Sequence, residues 1–214
     1  MLVKAHRVSV SIGEIVLLAP VSIEARKGEV IALRGGNGSG KTTLLRVLAG
    51  IVSASSGEVT IAEEPVDPSS TVFRRRVASL IGLPPLARNL TLAEHLQLVG
   101  LSWGEPPACI DDFIGRLLDS LGLASLGSRF PHELSSGQAQ LFALALTLAR
   151  PSEVILLDEP EQRLDSDRLT RVRDSIRGIV AEGRTVIMAT HSQWLTDELG
   201  NHTVTLIEAT AVDG

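Results

Sequence analysis

The chain has 214 residues, with 25 acidic and 20 basic side chains, so its formal net charge is −5. Its length and its 44% of apolar residues are sufficient for a sizeable core in one domain and exclude a disordered polymer. The acidic balance argues against a nucleic-acid-binding surface, and aromatic residues are scarce, with four Phe, two Trp and no Tyr.

The location of the chain can also be predicted from its composition. The longest nearly apolar run, residues 141–149, is too short to cross a bilayer, and no basic-then-apolar signal segment opens the chain. The single Cys109 excludes an internal disulfide, which is consistent with a reducing compartment. We therefore expect a protein that is not exported.

The N-terminal third begins with strand patterns. Val8, Val10 and Ile12 alternate with polar residues, and a second apolar run covers residues 15–25, which predicts two antiparallel strands. Residues 30–33 then resemble a short buried strand, followed by a glycine-rich segment and a helix over residues 42–49. A further strand is predicted at residues 58–62.

The middle of the chain has a helical pattern, whereas strand patterns occur on both sides of it. Residues 92–96 and 109–121 have helical spacing, and two Pro-Pro pairs interrupt residues 69–134, which predicts a helical insert. After residue 135, helices at 137–149 and 166–181 alternate with strands at 154–157, 185–189 and 203–207. This alternation predicts an α/β fold, with residues 1–68 and 135–214 forming an antiparallel part and a mainly parallel sheet.

Residues 35–42 match the phosphate-binding pattern G-x-x-x-x-G-K-[ST] in full, between a predicted strand and a predicted helix. In a phosphate-loop (P-loop) NTPase, the glycines let backbone N–H groups point at phosphate oxygens, and the helix dipole adds positive potential. Lys41 is expected to reach the β- and γ-phosphates, and the Thr42 hydroxyl to bind Mg²⁺. The predicted nucleotide contacts here are Gly35, Asn37, Gly38, Ser39, Gly40, Lys41, Thr42 and Thr43.

Carboxylates follow a later buried strand, at the edge of an α/β sheet where ligands bind. Asp158 and Glu159 end the apolar run 154–157. We expect Asp158 to hold Mg²⁺ and Glu159 to polarise the attacking water. His191 follows strand 185–189 and is a candidate for orienting that water through the γ-phosphate, although a histidine in this position can also be structural.

Residues 134–138, Leu-Ser-Ser-Gly-Gln, resemble the signature L-S-G-G-Q of the ATP-binding cassette (ABC) family, with Ser136 in place of one glycine. They lie between the helical insert and the Asp158–Glu159 strand, as in that family. Leu164-Asp165 resembles the family's D-loop, and Thr190-His191 resembles its switch histidine. The resemblance covers nearly the whole chain and is to the nucleotide-binding domain of ABC transporters.

The resemblance implies a mechanism. Two such domains bind head to tail with two ATP molecules between them, so that Ser135, Gly137 and Gln138 face the partner's nucleotide and Asp165 lies at the interface. ATP and Mg²⁺ close the dimer, and hydrolysis, which uses Lys41, Glu159 and His191, reopens it. The helical insert couples this motion to a separate membrane permease, which places the chain at the inner face of the cell membrane.

Three positions depart from the family pattern. The window that usually supplies an adenine-stacking aromatic contains only Ile12 as an apolar contact, which predicts modest discrimination between ATP and GTP. Residues 81–89, where the family has a glutamine, contain none, and Arg88 and Asn89 are not secure replacements. Ser136 loses a glycine's freedom to adopt positive φ, which matters little if its backbone is helical.

The sequence was also compared with three other classes of protein. A soluble ABC ATPase in nucleic-acid or ribosome work usually has coiled-coil inserts or paired cassettes, which this sequence lacks. A regulatory module that binds ATP and dimerises without turnover is compatible with the missing glutamine and aromatic residue. A small-molecule kinase would not need the signature segment. The short chain, without a C-terminal regulatory extension, slightly favours an exporter over an importer.

Overall fold

The strands of the protein form two sheets, described here from a computed structural model that covers residues 1–208. Within these residues the strands are β1 (Val3–Ile12), β2 (Ile15–Ala25), β3 (Val30–Arg34), β4 (Ser56–Ile61), β5 (Glu64–Pro65), β6 (Val77–Leu80), β7 (Val154–Asp158), β8 (Thr185–Ala189) and β9 (His202–Thr205). The α-helices are α1 (Lys41–Leu48), α2 (Thr71–Arg76), α3 (Leu92–Trp103), α4 (Ile110–Ser120), α5 (Ser136–Leu148), α6 (Ser166–Ala181) and α7 (Gln193–Leu199).

The larger sheet is parallel and has the strand order β6-β7-β8-β3-β9. Its central strands β3, β7 and β8 are short and apolar because helices cover both faces, whereas the edge strand β9 is largely exposed; β8 is buried along its whole length and β7 nearly so. The carboxyl ends of β3, β7 and β8 therefore lie at one edge, which is where the predicted phosphate loop, Asp158 and His191 follow their strands.

The smaller sheet is antiparallel, with the order β2-β1-β4-β5. The strand ends of β1 and β2 meet at a tight turn, where Ile12 pairs with Ile15 and Ser11 with Val16. Helix α1 packs between this sheet and the parallel one through the buried side chains of Leu44, Leu45 and Leu48. The α/β fold with an antiparallel N-terminal part and a parallel core, predicted from the sequence, is confirmed.

One strand lies inside the range predicted to be helical. Residues 77–80 form β6, which pairs in parallel with β7 from Val77–Val154 to Leu80–Leu157 and is the edge of the core sheet. Ser79 interrupts the apolar residues of this short run, which directly follows helix α2, so the sequence did not separate it from the insert. The helices α3 and α4 of the insert follow only after Leu80. Residues 209–214, which belong to the predicted core, lie outside the described residues.

Helices α3, α4 and α5 pack around Phe142, Leu92 and Leu96, each of which is fully buried. Thr91 and Glu94 form a capping box that starts α3. His95, on the first turn of α3, contacts the carbonyl of Thr91 through Nδ1 at 2.8 Å and accepts the N–H of Ala87 through Nε2 at 3.1 Å. The segment between β6 and α3 is thereby attached to the helical part of the molecule.

None of the helices in residues 1–208 combines the length and the apolar character needed to cross a membrane.

Candidate active site

The predicted phosphate loop connects β3 to α1. Gly38 and Gly40 have φ values of 81° and 91°, in the left-handed region that favours glycine. A Cβ on Gly40 would come within 2.9 Å of the Leu17 carbonyl oxygen on β2 and 2.7 Å of a Leu18 methyl carbon. The loop can therefore pass close to β2 only because this position carries no side chain.

Lys41 is held over the inside of the loop and is only 6% exposed. Its Nζ donates hydrogen bonds to the carbonyl oxygens of Gly35 at 2.9 Å and Gly36 at 2.8 Å. The carbonyls thus fix the ammonium group beside the backbone N–H groups at the start of α1. This places a positive charge and a helix N-terminus on the same concave surface, which suits a phosphate chain.

Thr42 and Asp158 come together from opposite halves of the sequence. The Thr42 hydroxyl donates a hydrogen bond of 2.8 Å to Asp158 Oδ2. Burial of Asp158 raises the pKa of its carboxyl group, an effect that the Thr42 hydrogen bond opposes and the neighbouring Glu159 charge reinforces. A hydroxyl and a partly buried carboxylate are oxygen ligands of the kind Mg²⁺ prefers, and a cation would relieve the burial of the charge, so these two residues fit a magnesium site.

In the absence of Mg²⁺, the Asp158→Asn variant is expected to be at least as stable as the wild type. Because the pKa of Asp158 is raised on folding, its favourable contribution is complete only at low pH and is lost as the pH rises through the folded-state pKa. The amide keeps an acceptor for Thr42 without the buried charge. Thermal unfolding between pH 4 and 8 with EDTA checks this, and a melting temperature well below the wild type at pH 8 would contradict it.

Glu159 and His191 form the third part of the site. The Glu159 Oε1 atom lies 3.2 Å from His191 Nε2, and both side chains are partly exposed. The backbone of Glu159 has a φ of 48°, which is unusual for a residue other than glycine. It is supported by Gln140 on α5, whose Nε2 donates to the Glu159 carbonyl at 3.3 Å, and Gln162 Nε2 donates to the carboxylate at 3.1 Å.

A cleft of about 310 Å³ brings the phosphate loop and Glu159 together, whereas Asp158 does not line it and His191 lines a neighbouring cleft with Gly35. Glu159 and two apolar residues of β2, Val16 and Leu17, line this cleft. The remaining residues that line the cleft are Asn37, Gly38, Ser39, Gly40, Lys41, Thr42 and Thr43.

The residue predicted to contact the base is not among the residues that line this cleft. Ile12 is 68% exposed at the turn between β1 and β2. Val16 and Leu17, which follow the turn, are adjacent to the phosphate loop instead. Gly40 of the loop packs against Leu17 and Leu18 of β2, a tertiary contact that the single sequence did not indicate.

The signature segment opens α5. Ser135 is the N-cap: its Oγ accepts the N–H of Gln138 at 3.3 Å, and Gln138 Oε1 accepts the N–H of Ser135 at 2.9 Å. Ser136 is exposed and is the first helical residue, so its backbone does not require glycine. A Cβ on the buried Gly137 would come within 2.9 Å of the Arg163 carbonyl oxygen, so this position does require it.

Asp165, from the segment that resembles the D-loop, caps α6. Its Oδ1 accepts the N–H of Arg168 at 2.9 Å, and its Oδ2 pairs with the Arg168 guanidinium at 3.2 Å. Neither Asp165 nor any residue of the signature lines the 310 Å³ cleft described above. The signature side of the molecule and the phosphate loop are therefore separate surfaces of one chain.

The segment after β6 carries no glutamine at the sheet edge. Gly82 has a φ of 76° and open space where a Cβ would be. Because Leu80 pairs with Leu157, Gly82 follows β6 at about the level where Glu159 follows β7. Arg88 and Asn89 are exposed, and Gln97 is exposed on α3.

These elements define a phosphate-loop fold with a second, signature-bearing surface, and comparison with known proteins agrees. The family model described as "ABC transporter" matches residues 18–162. The chain belongs to the ABC transporter family.

Two of the similar proteins are ATP-binding proteins whose names describe import. The chain is 36% identical over 211 residues to the sulfate/thiosulfate import ATP-binding protein CysA of Vibrio cholerae, an alignment that covers 96% of this chain and 56% of the relative. It is 33% identical over 197 residues to the putative 2-aminoethylphosphonate import ATP-binding protein PhnT of Salmonella typhimurium, covering 86% and 52%. The chain thus spans about half the length of these relatives.

A solved structure of the ATP binding subunit of an ABC transporter superposes with a TM-score of 0.87 at 25% identity, covering 96% of this chain and 86% of the other. The sequence-based recognition of an ABC ATP-binding domain is therefore confirmed.

Proposed function

We propose that the chain is the ATP-hydrolysing subunit of an ABC importer and drives a separate membrane permease. The observation that carries this proposal is the Glu159–His191 pair, 3.2 Å apart, at the sheet edge that also bears Lys41 and Asp158. A nucleotide-binding protein without turnover needs the phosphate cradle but has no need of a carboxylate and an imidazole held together beside it.

The residues divide the chemistry among them. Lys41 and the N–H groups of the loop hold the triphosphate, and Lys41 stabilises negative charge on the transferred phosphoryl group. Thr42 and Asp158 hold Mg²⁺, which neutralises phosphate charge when bound. Glu159 accepts a hydrogen bond from the attacking water, and His191 orients the Glu159 carboxylate relative to the γ-phosphate.

Dimerisation follows from the separation of the two surfaces. The signature residues Ser135 and Gly137 do not line the cleft of their own chain. The N-terminus of α5 nevertheless has the exposed hydroxyl and backbone N–H groups that suit an anion. We infer that a second cassette presents its signature to this cleft, so that two ATP molecules lie between two chains.

Import is proposed because the relatives described above are named as import proteins for sulfate or thiosulfate and for 2-aminoethylphosphonate. The slight preference for an exporter, which rested on chain length, finds no support in these relatives. The permease is a separate polypeptide, and the proposed place of work is the inner face of the cell membrane. The subdomain division is proposed with the helical insert beginning after β6.

The direct test is phosphate release from MgATP by the purified chain, alone and with the permease reconstituted in vesicles. Release that is saturable in ATP supports the proposal, as does cargo uptake that depends on internal ATP. ATP-dependent dimerisation without any phosphate release, even with the permease, would favour the regulatory module instead. That alternative is kept because Gly82 leaves the sheet edge without the side chain that the family pattern provides.

The adenine base of the nucleotide is expected to be recognised weakly. Val16 and Leu17 offer apolar surface and no aromatic ring, so the triphosphate contacts dominate binding. We expect the dissociation constants of MgATP and MgGTP to agree within about tenfold by isothermal titration calorimetry. A preference for ATP above about a hundredfold, roughly 2.7 kcal/mol, would require another contact to adenine.

A further inference from the structure

Glu161 lies two residues after Glu159 and reaches across to the segment that follows β8. Its Oε1 accepts a hydrogen bond from the Thr190 hydroxyl, from the backbone N–H of His191 at 2.8 Å and from that of Ser192 at 3.2 Å. No sequence motif singled this residue out, and neither the phosphate chemistry nor the metal site described above uses it.

The contacts of Glu161 lie in the segment between strand β8 and helix α7. The ladder between β7 and β8 ends where Asp158 pairs with Ala189, and the Glu159 N–H makes a last bond to the Ala189 carbonyl at 2.9 Å. Helix α7 begins only at Gln193. Residues 190–192 are therefore beyond the strand and before the helix, and the Glu161 carboxylate binds their donors in place of regular structure.

His191 is thus held at two points by the same turn. Its backbone N–H is bound by Glu161, and its imidazole Nε2 lies 3.2 Å from the Glu159 carboxylate. Because His191 is 48% exposed at its side chain, packing alone restricts the ring only weakly. We propose that Glu161 is a positioning residue, which holds the backbone of His191 so that the imidazole meets Glu159 and the γ-phosphate.

The chemistry requires an acceptor at Oε1 and little else. The other carboxylate oxygen, Oε2, is buried without a hydrogen-bond partner among the described residues. A glutamine can present its carbonyl oxygen to the same three donors, with its amide in the place of Oε2. An alanine removes the acceptor, and an aspartate withdraws it by one methylene group.

The test compares E161A, E161D and E161Q with E182A, which removes an exposed carboxylate just before β8 and hence at the opposite sheet edge. In E161A, kcat for ATP hydrolysis is expected to fall about tenfold with KM within about twofold, because the loss is one of orientation and not of binding. E161D is expected to lie between, and E161Q to recover to within about threefold of the wild type.

A second measurement does not depend on activity. Hydrogen exchange of the His191 amide, followed by NMR, is expected to accelerate in E161A and E161D and to stay slow in E161Q. The Ser192 amide is a weaker reporter, because it also contacts Thr190 Oγ1 at 3.0 Å. The inference rests on the proposed ATPase function for its kinetic part only. A wild type that releases no phosphate would overturn the proposed function, while the exchange data would still test the contacts of Glu161.

Three outcomes would overturn the positioning role. These are unchanged amide exchange in E161A, accelerated exchange with an unchanged kcat, or failure of E161Q to recover although it folds with the wild-type melting temperature. If E161A does not fold, E161D and E161Q carry the same comparison, because both retain a polar side chain at the position.

Discussion

Glu159→Gln is expected to reduce the rate of ATP hydrolysis at least about a hundredfold, which is the lower range for removal of a positioned general base. Glutamine keeps the size of the side chain and can still contact His191, but it cannot accept a proton from water. MgATP binding should remain within a fewfold of the wild type, because Lys41 and the loop are unchanged. Phosphate release and a binding titration on the same preparation measure both quantities.

The same variant tests the proposed dimer. If hydrolysis reopens two closed chains, Glu159→Gln with MgATP should accumulate as a dimer in light scattering, whereas the wild type should not. Glu182→Gln is the matched control, because it removes an exposed carboxylate charge at the other edge of the sheet and should leave turnover unchanged. Wild-type turnover in Glu159→Gln would exclude Glu159 as the base.

Lys41→Ala is expected to lower MgATP affinity at least about thirtyfold and turnover at least about a hundredfold. The ammonium group is the cation that the loop carbonyls of Gly35 and Gly36 hold over the cleft, at 2.9 and 2.8 Å. Its charge-assisted bonds to phosphate oxygens have no substitute in the methyl side chain.

Lys41→Gln separates the charge from the hydrogen bonds. Its amide keeps a hydrogen-bond donor on the same side of the loop, one bond nearer the backbone than the lysine ammonium, so the melting temperature should stay near that of the wild type. Affinity and turnover should nevertheless remain low. Wild-type affinity in Lys41→Gln would show that the positive charge is not what binds the triphosphate.

The fold could be predicted where an apolar run is uninterrupted or an amphipathic pattern is long. The buried runs that became β3, β7 and β8, and the amphipathic helix α6 (Ser166–Ala181), have bounds close to those expected from the sequence. Strand β6 was missed because Ser79 interrupts its apolar residues, and only pairing with β7 makes them a strand. Its place at the sheet edge is a property of the tertiary structure.

The site divides in the same way. Lys41, Thr42, Asp158 and Glu159 could be placed from the sequence because a glycine-rich loop and an apolar strand end each fix local geometry. Val16 and Leu17 could not, because they reach the cleft only through the packing of β2 against the phosphate loop. Glu161 could not, because its partners are about thirty residues away in the sequence, beyond a different strand.

Helix α5 connects two functions within a little more than one turn. Its first residues form the signature, which in the proposed dimer faces the other chain's nucleotide, and Gln140 bonds the backbone of Glu159 in its own chain. A small tilt of this helix, caused by ATP at one site, would therefore shift the catalytic carboxylate of the other. Helix α5 would thereby couple the two nucleotide sites of a dimer. This coupling predicts cooperative ATP hydrolysis with a Hill coefficient above one.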